Sequence, residues 1–327
     1  MKEKKSSVLY ILDVLKRYTD KNHSINYSAI IDKLKSNYDI ELERKTVARD
    51  IDILIDKGFD IKKKGNNGVS LEERTFEEGE LLFLVDAIYS SRSIPTKYAR
   101  DLIGKLTQDY SIYEKDKFRN IEKIDEGVKV DNKQLFYTIE VLNNAIEQGK
   151  KVEFQYNVYD IDGKLKPKKE GKFYKVNPYY MANNKAKYYL ICNYDKYDNL
   201  GNYKIDCISN IRILDEKIKP LKSLPGQENF SLKEYMREHI FMFSGDSVNA
   251  TIEICVPERI NDVVNWFGQG ARLYKREDKI YADLTVNEDA IIFWALQYGE
   301  SVEIISPEST RNKMKNIITK MIDKYSR

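Results

Sequence analysis

Apolar positions recur at helical spacing three times in the first sixty residues of the chain. Val8, Ile11, Leu12, Val14 and Leu15 mark a helix from Ser6 to Tyr18, with Ser6 or Ser7 available as N-cap. Ile30, Ile31 and Leu34 repeat the pattern from Tyr27 to Tyr38. Val47, Ile51, Leu54 and Ile55 line one face of a third helix that begins near Glu43 and ends at Lys57-Gly58, where glycine suits the position after a helix. Two short strand candidates then flank the turn Asn66-Asn67-Gly68, with Lys62, Lys63 and Lys64 on the first. Three short helices followed by a basic hairpin predict a winged helix-turn-helix over residues 1–72.

Helical spacing continues through an acidic spacer, residues 73–131. Its expected helices are Phe76–Ser90, one from Pro95 through Tyr110, and one from Tyr113 to Ile124. Their apolar positions imply packing, within the chain or against a second copy. Leu135, Ile139, Leu142 and Ile146 predict a helix from Asn132 to Gly149.

The period then changes to two, the signature of strands with alternate faces. Candidate strands are Lys151–Tyr159, Lys172–Val176, Asn177–Met181, Lys187–Tyr194 and Asn202–Ile208, with a polar turn over Ala182–Ala186. A helix followed by roughly five short, bent strands predicts a small Sm-like or SH3-like barrel over residues 132–220. A Pro-containing crossing, Lys217 to Pro225, leads to a helix around Ser231 to Phe243. Residues 245–327 follow a strand-helix-strand-strand-helix-strand order that predicts a ferredoxin-like layer with Trp266 and Trp294 in its core. The fold class expected for the whole chain is α+β.

Composition sharpens this picture through the placement of charge. A chain of 327 residues with 42% apolar and 33% charged residues can bury two or three cores. Residues 1–70 carry 15 Lys/Arg against 11 Asp/Glu, and residues 150–219 carry 15 against 9. The spacer and the C-terminal segment have an acidic balance. Two basic modules separated by an acidic one suit a protein that meets polyanions at two places. The three cysteines, Cys192, Cys207 and Cys255, are odd in number and lack CxxC spacing, so a reduced, cytoplasmic protein with no metal site is expected. No apolar run approaches the ~20 residues of a membrane span. The histidines His23 and His239 are isolated, and no nucleophile, phosphate-loop or metal motif accompanies them. No catalytic residues and no cofactor are therefore expected, and the chain reads as a binding protein rather than an enzyme.

The run Lys45-Thr46-Val47-Ala48-Arg49-Asp50-Ile51, followed by Leu54 and Lys57-Gly58, resembles the recognition helix of the winged-helix regulators that carry a WYL domain. Glu43 stands where that family more often has a Ser N-cap. Further along, Tyr188-Tyr189-Leu190 occupies the place of the family's Trp-Tyr-Leu, Asn177-Pro178-Tyr179 that of a preceding Pro-Tyr, and Tyr203–Ile208 that of a downstream strand. The resemblance implies a DNA-reading head, a ligand-sensing barrel and a C-terminal extension. It also associates ligand contact with arginines at the positions here held by Lys204 and Cys207. Lysine keeps the charge without the bidentate fork; cysteine loses both.

On this reading Arg44, Lys45, Thr46 and Arg49 face a duplex from the third helix, and Lys62, Lys63 and Lys64 reach phosphates from the wing. Tyr156, Tyr179, Lys187, Tyr188, Asn202 and Lys204 are the candidate effector contacts, since rings that stack bases and lysines that track phosphates define single-strand surfaces. About half the tyrosines of a strand must nevertheless face the core. The function expected is a homodimeric transcriptional regulator, a repressor, that binds an operator duplex and senses a single-stranded nucleic acid or nucleotide. The competing expectation is an accessory single-strand-binding protein that modulates a defence or repair enzyme.

Overall fold

A computed structural model describes residues 7–91, 93–117 and 134–326. The chain divides into two compact units, Met1–Asp131 and Asn132–Arg327.

In the first unit α1 (Ser7–Tyr18), α2 (Tyr27–Tyr38) and α3 (Arg44–Asp56) pack as three helices. Their predicted apolar faces converge: Ile11, Val14, Leu15, Ile30, Leu34, Val47 and Ile51 are fully buried together. The Asn26 side chain caps α2 by accepting the Ala29 N–H at 2.8 Å, whereas Glu43 makes no cap bond to α3. Ser7 does not cap α1; its hydroxyl donates to the buried carboxylate of Asp50 on α3. Ser6 lies outside the described residues.

The hairpin consists of β1 (Ile61–Lys63) and β2 (Val69–Leu71), antiparallel, with Ile61 paired to Leu71. Val69 and Ile25 exchange backbone hydrogen bonds at 2.9 Å in both directions, which ties the hairpin to the segment between α1 and α2. Gly68 permits this closeness: at φ +91, a Cβ there would stand 2.1 Å from the Ile25 carbonyl oxygen.

The spacer forms α4 (Glu78–Ser90), α5 (Thr96–Leu106) and α6 (Ile112–Asp116) around Leu81, Val85, Ile103 and Tyr110. The second of these ends at Leu106, short of the expected Tyr110, and Pro95 takes the cap position just before its first turn. The stretch beyond Lys117 that was expected to extend the third helix lies outside the described residues. The spacer packs against the three helices: Ser111 donates to Asp20 at 2.7 Å, Lys16 pairs with Asp109 at 3.0 Å, and Tyr113 stacks on His23.

The second unit opens with α7 (Leu135–Gln148), closed by Gly149 at φ +61. Then come β3 (Lys150–Tyr159), β4 (Leu165–Pro167), β5 (Phe173–Asn184), β6 (Lys187–Tyr194), β7 (Leu200–Lys204) and β8 (Ile208–Lys217). β3, β5, β6 and β7 form an antiparallel meander, and β8 returns to the free edge of β3. A 3-10 turn, Ile205–Cys207, sits between β7 and β8. That order is the Sm-like or SH3-like arrangement expected, with β4 an extra hairpin strand on the far end of β3.

Four details differ from the sequence expectation, the first being β8 itself, a strand over Ile208–Lys217 where none was expected. The segments Lys172–Val176 and Asn177–Met181 are one strand, bent by a register shift between Pro178 and Tyr180, where proline offers no N–H to the ladder. The polar turn is two residues, Lys185-Ala186, both at positive φ (51 and 61), so Ala182–Asn184 belong to the strand. The expected strand Asn202–Ile208 breaks after Lys204 into the 3-10 turn that redirects the chain to β3.

Past the barrel, α8 (Leu232–Glu238) ends well before Phe243; His239 follows it as C-cap, and Met242 adopts φ 55. The remainder is β9 (Ser247–Ile254), α9 (Ile260–Phe267), β10 (Arg272–Arg276), β11 (Lys279–Asn287), α10 (Glu288–Tyr298), β12 (Val302–Ser306) and α11 (Glu308–Tyr325). Strand order β10-β11-β9-β12, all antiparallel, gives the ferredoxin-like layer. Trp294 is fully buried at its centre beside Phe267. Trp266 is only half-buried, because α9 presents it at the rim where it packs on Phe241. Among the described residues no helix is long and apolar enough to cross a membrane.

Candidate nucleic-acid interfaces

The exposed face of α3 carries Arg44, Lys45 and Arg49, with Thr46 half-buried beside them. One turn separates Lys45 from Arg49, so the two side chains stand on the same face. Arg44 lies over the Tyr27 ring, and Arg49 reaches its neighbour Asp50, Nη2 to Oδ1 at 3.1 Å, while its side chain stays 67% exposed. The wing lysines stand differently from the expectation of free phosphate ligands. Lys62 pairs with Asp60 at 2.6 Å, Lys63 with Asp52 at 2.5 Å and Lys64 with Glu72 at 2.8 Å. For Lys62 and Lys63 those hydrogen bonds hold the ammonium above its ordinary pKa. The third helix and the wing each place acidic residues within reach of them, which periodicity alone does not reveal.

In the second unit, the barrel and the segment after α8 enclose two cavities that adjoin at Tyr156 and Asn202. One, of about 360 Å³, is lined by Tyr156, Asn184, Lys185, Lys187, Tyr189, Asn202 and Lys204 from the barrel, and by Ile240–Phe243 and Phe293 opposite. Four of the six candidate effector contacts, Tyr156, Lys187, Asn202 and Lys204, thus come together here. Their positions follow from parity: Lys187 and Tyr189 share one face of β6, and Asn202 and Lys204 one face of the adjacent β7.

The other two candidates are corrected. Tyr188 is 41% exposed but faces the opposite side of β6 from Lys187, and its place in the cavity belongs to Tyr189. Tyr179 is 7% exposed, packed with Leu224 and Tyr235, and its hydroxyl donates to the Lys219 carbonyl at 2.7 Å. Cys207, where the resemblance places an arginine, is buried in the 3-10 turn and lines neither cavity.

The second cavity, about 430 Å³, was not foreseen. Lys168, Lys169, Lys172 and Lys196 surround it, with Tyr156, Tyr174, Tyr194, Tyr197 and Tyr203 between them. Tyr203 sits edge-on to Tyr156 at 5.1 Å and Tyr194 lies 5.6 Å from the exposed Tyr197. The lysine loop is held by an unusual backbone, with Lys169, Glu170 and Gly171 all at positive φ and the Gln155 amide donating to the Gly171 carbonyl at 2.7 Å. On the other side, the buried Asn193 amide donates to Tyr197 and Asn199 carbonyls, at 2.6 and 2.9 Å, and so fixes the loop that bears Lys196. Among the described residues no carboxylate lines either cavity, and none of their seven lysines makes an ion pair. Burial pushes the Tyr156 and Tyr203 hydroxyls upward, so both rings are neutral at physiological pH.

Residues 137–213, which span α7 and most of the barrel, match the WYL domain family. Comparison with curated proteins gives no match. Among solved structures, the chain is similar to proteasome accessory factor B/C (PafBC) of Arthrobacter aurescens at 16% identity and TM-score 0.29, over 98% of this chain and 49% of that one. It therefore spans about half the length of that protein. A CRISPR Cas-related protein is similar at 14% identity and TM-score 0.39, over 78% of this chain and 75% of its own. Overlaps this loose carry nothing further.

Proposed function

The chain carries a WYL domain over residues 137–213, and we propose that it is a DNA-binding regulator of transcription whose barrel takes up single-stranded nucleic acid. It acts by binding, without catalysis. In this reading a homodimer sets two α3 helices on the half-sites of an operator, where it represses. Arg44, Lys45, Thr46 and Arg49 meet base edges and nearby phosphates.

One observation carries the effector reading: seven lysines without an ion-pair partner and six tyrosines line two joined cavities, and among the described residues no carboxylate enters either. A like-signed field around stacking rings fits a chain of phosphates with attached bases. It fits a strand better than a single nucleotide, because Lys185, Lys187 and Lys204 lie in one cavity and Lys168, Lys169, Lys172 and Lys196 in the next. The effector changes operator affinity only as far as it prefers one arrangement of the dimer.

The accessory reading has one observation in its favour, the carboxylates already seated on Lys62, Lys63 and Lys64. Genomic footprinting of the purified protein, with and without short oligonucleotides, separates the two. A specific duplex bound roughly 10³-fold or more over bulk DNA supports the regulator. Equal binding to any single strand, with no preferred duplex, removes it and leaves the accessory role.

A further inference from the structure

The Lys185-Ala186 turn between β5 and β6 reaches across to the C-terminal layer. There the Lys185 ammonium lies directly over the Trp266 ring, with Phe241 5.8 Å from it. Phe241 packs on Trp266 at 4.9 Å and edge-on to Phe293 at 5.0 Å, so the indole belongs to an aromatic wall whose other members, Phe241 and Phe293, line the first cavity. Trp266 itself does not line that cavity, although Lys185 does. Lys185 and Phe241 are the two cavity-lining residues in contact with the indole, and Lys185 is the one that covers its face.

Several features mark this contact as one that can be exchanged. Lys185 has no carboxylate partner among the described residues, and much of its side chain remains exposed. Partial desolvation holds its ammonium below the ordinary lysine range. Its turn places two non-glycine residues at positive φ, a conformation retained only where the surroundings hold it. A phosphate entering the cavity offers the ammonium a charge-assisted hydrogen bond, stronger than its attraction to a ring face.

We propose that the face of Trp266 is a base-stacking subsite of the first cavity, covered by Lys185 in the free protein and uncovered when Lys185 moves to a phosphate of the bound strand. The inference rests on the nucleic-acid reading of the barrel. It adds the ligand moiety recognised by the C-terminal layer, a nucleobase, and the residue that receives it.

The chain holds two tryptophans, and the other, Trp294, is fully buried. With excitation at the red edge, where tyrosine does not absorb, the part of the emission change that is lost in Trp266→Phe reports on Trp266. The full-length protein is titrated with short oligothymidylate and with an abasic strand of equal length, and binding is followed separately by anisotropy of an end-labelled strand. Quenching by oligothymidylate but not by the abasic strand is the expected result. Trp266→Ala should bind about tenfold more weakly, with most of the affinity restored in Trp266→Phe. Lys185→Met should alter the emission of the free protein and lower the salt dependence of binding by about one phosphate. Oligothymidylate binding at full strength with unchanged emission overturns the subsite and leaves the nucleic-acid reading standing. No binding in any salt overturns that reading and the subsite with it.

Discussion

Lys62, Lys63 and Lys64 on the wing stand 2.5 to 2.8 Å from carboxylates, whereas the lysines around the two barrel cavities have aromatic, apolar and neutral polar neighbours and, among the described residues, no ion-pair partner. By composition the two segments look alike, each with 15 basic residues. The difference lies in where the acidic residues fold. Asp52 and Asp60 return to the wing because α3 and the hairpin are close in sequence and in space. In the barrel, the acidic residues pair away from the cavities: Asp195 and Glu216 with Lys151, and Asp160 with Lys166. A basic segment thus presents lysines without carboxylate partners only where its own carboxylates are drawn off elsewhere.

The largest test of that contrast reverses the charge of the second cavity. Lys169→Glu, Lys172→Glu and Lys196→Glu together should lower oligonucleotide affinity by at least about a hundredfold at low salt. Their alanine counterparts should reduce the log–log salt slope by about two, at roughly 0.7 per single-strand phosphate. An unchanged anisotropy titration would erase the distinction between barrel and wing. Next in size is Arg49→Ala, expected to cost operator affinity about 1–3 kcal/mol in a mobility shift if the side chain reads a base. Smaller is Lys63→Ala: with Asp52 already seated on it, the duplex salt slope should fall by less than the roughly 0.9 of a free phosphate ligand. A full loss would mean that DNA displaces Asp52 without penalty.

The smallest effect concerns acid. Lys151 and Asn177 hydrogen bonds hold Asp195 below its ordinary 3.8. A depressed carboxylate stabilises the fold above its unfolded value, and that contribution disappears as pH falls through the folded value. The stability advantage of the wild type over Asp195→Asn should therefore shrink on acidification below about pH 4, in urea melts monitored across that range. A gap independent of pH would place the Lys151 pairing outside the energetics of the barrel.

Elements dominated by a single period were legible from sequence alone. The three N-terminal helices, the hairpin and the alternating C-terminal layer fall within a few residues of their expected limits. What escaped was set by closure in three dimensions. Asn177 and Asn193 fall in their expected strands, yet nothing in the pattern marks them as fully buried and bonded to each other at 2.9 Å, holding adjacent strands inside the barrel. Parity could have chosen Tyr189 over Tyr188, since Lys187 was already a candidate effector contact and a strand returns to the same face after two residues. Lys168, Lys169 and Lys172 had a visible signal, a lysine-rich loop in the basic segment. Their meeting with Lys196 depends on strands β5 and β6 bringing distant loops together, and no local pattern encodes that.

The Arg49–Asp50 contact has a meaning beyond the architecture of α3. Asp50 is 2% exposed and also accepts the Ser7 hydroxyl, so its carboxylate is fixed while the guanidinium it holds is free to leave. Any base that recruits Arg49 competes against a resident acceptor that never diffuses away. A base edge offering two well-placed acceptors can win that contest, and one offering a single acceptor returns the arginine to Asp50. Selectivity at this position would then arise from a threshold built into the helix, and replacing Asp50 would broaden the set of sequences read before it weakened the binding of any one.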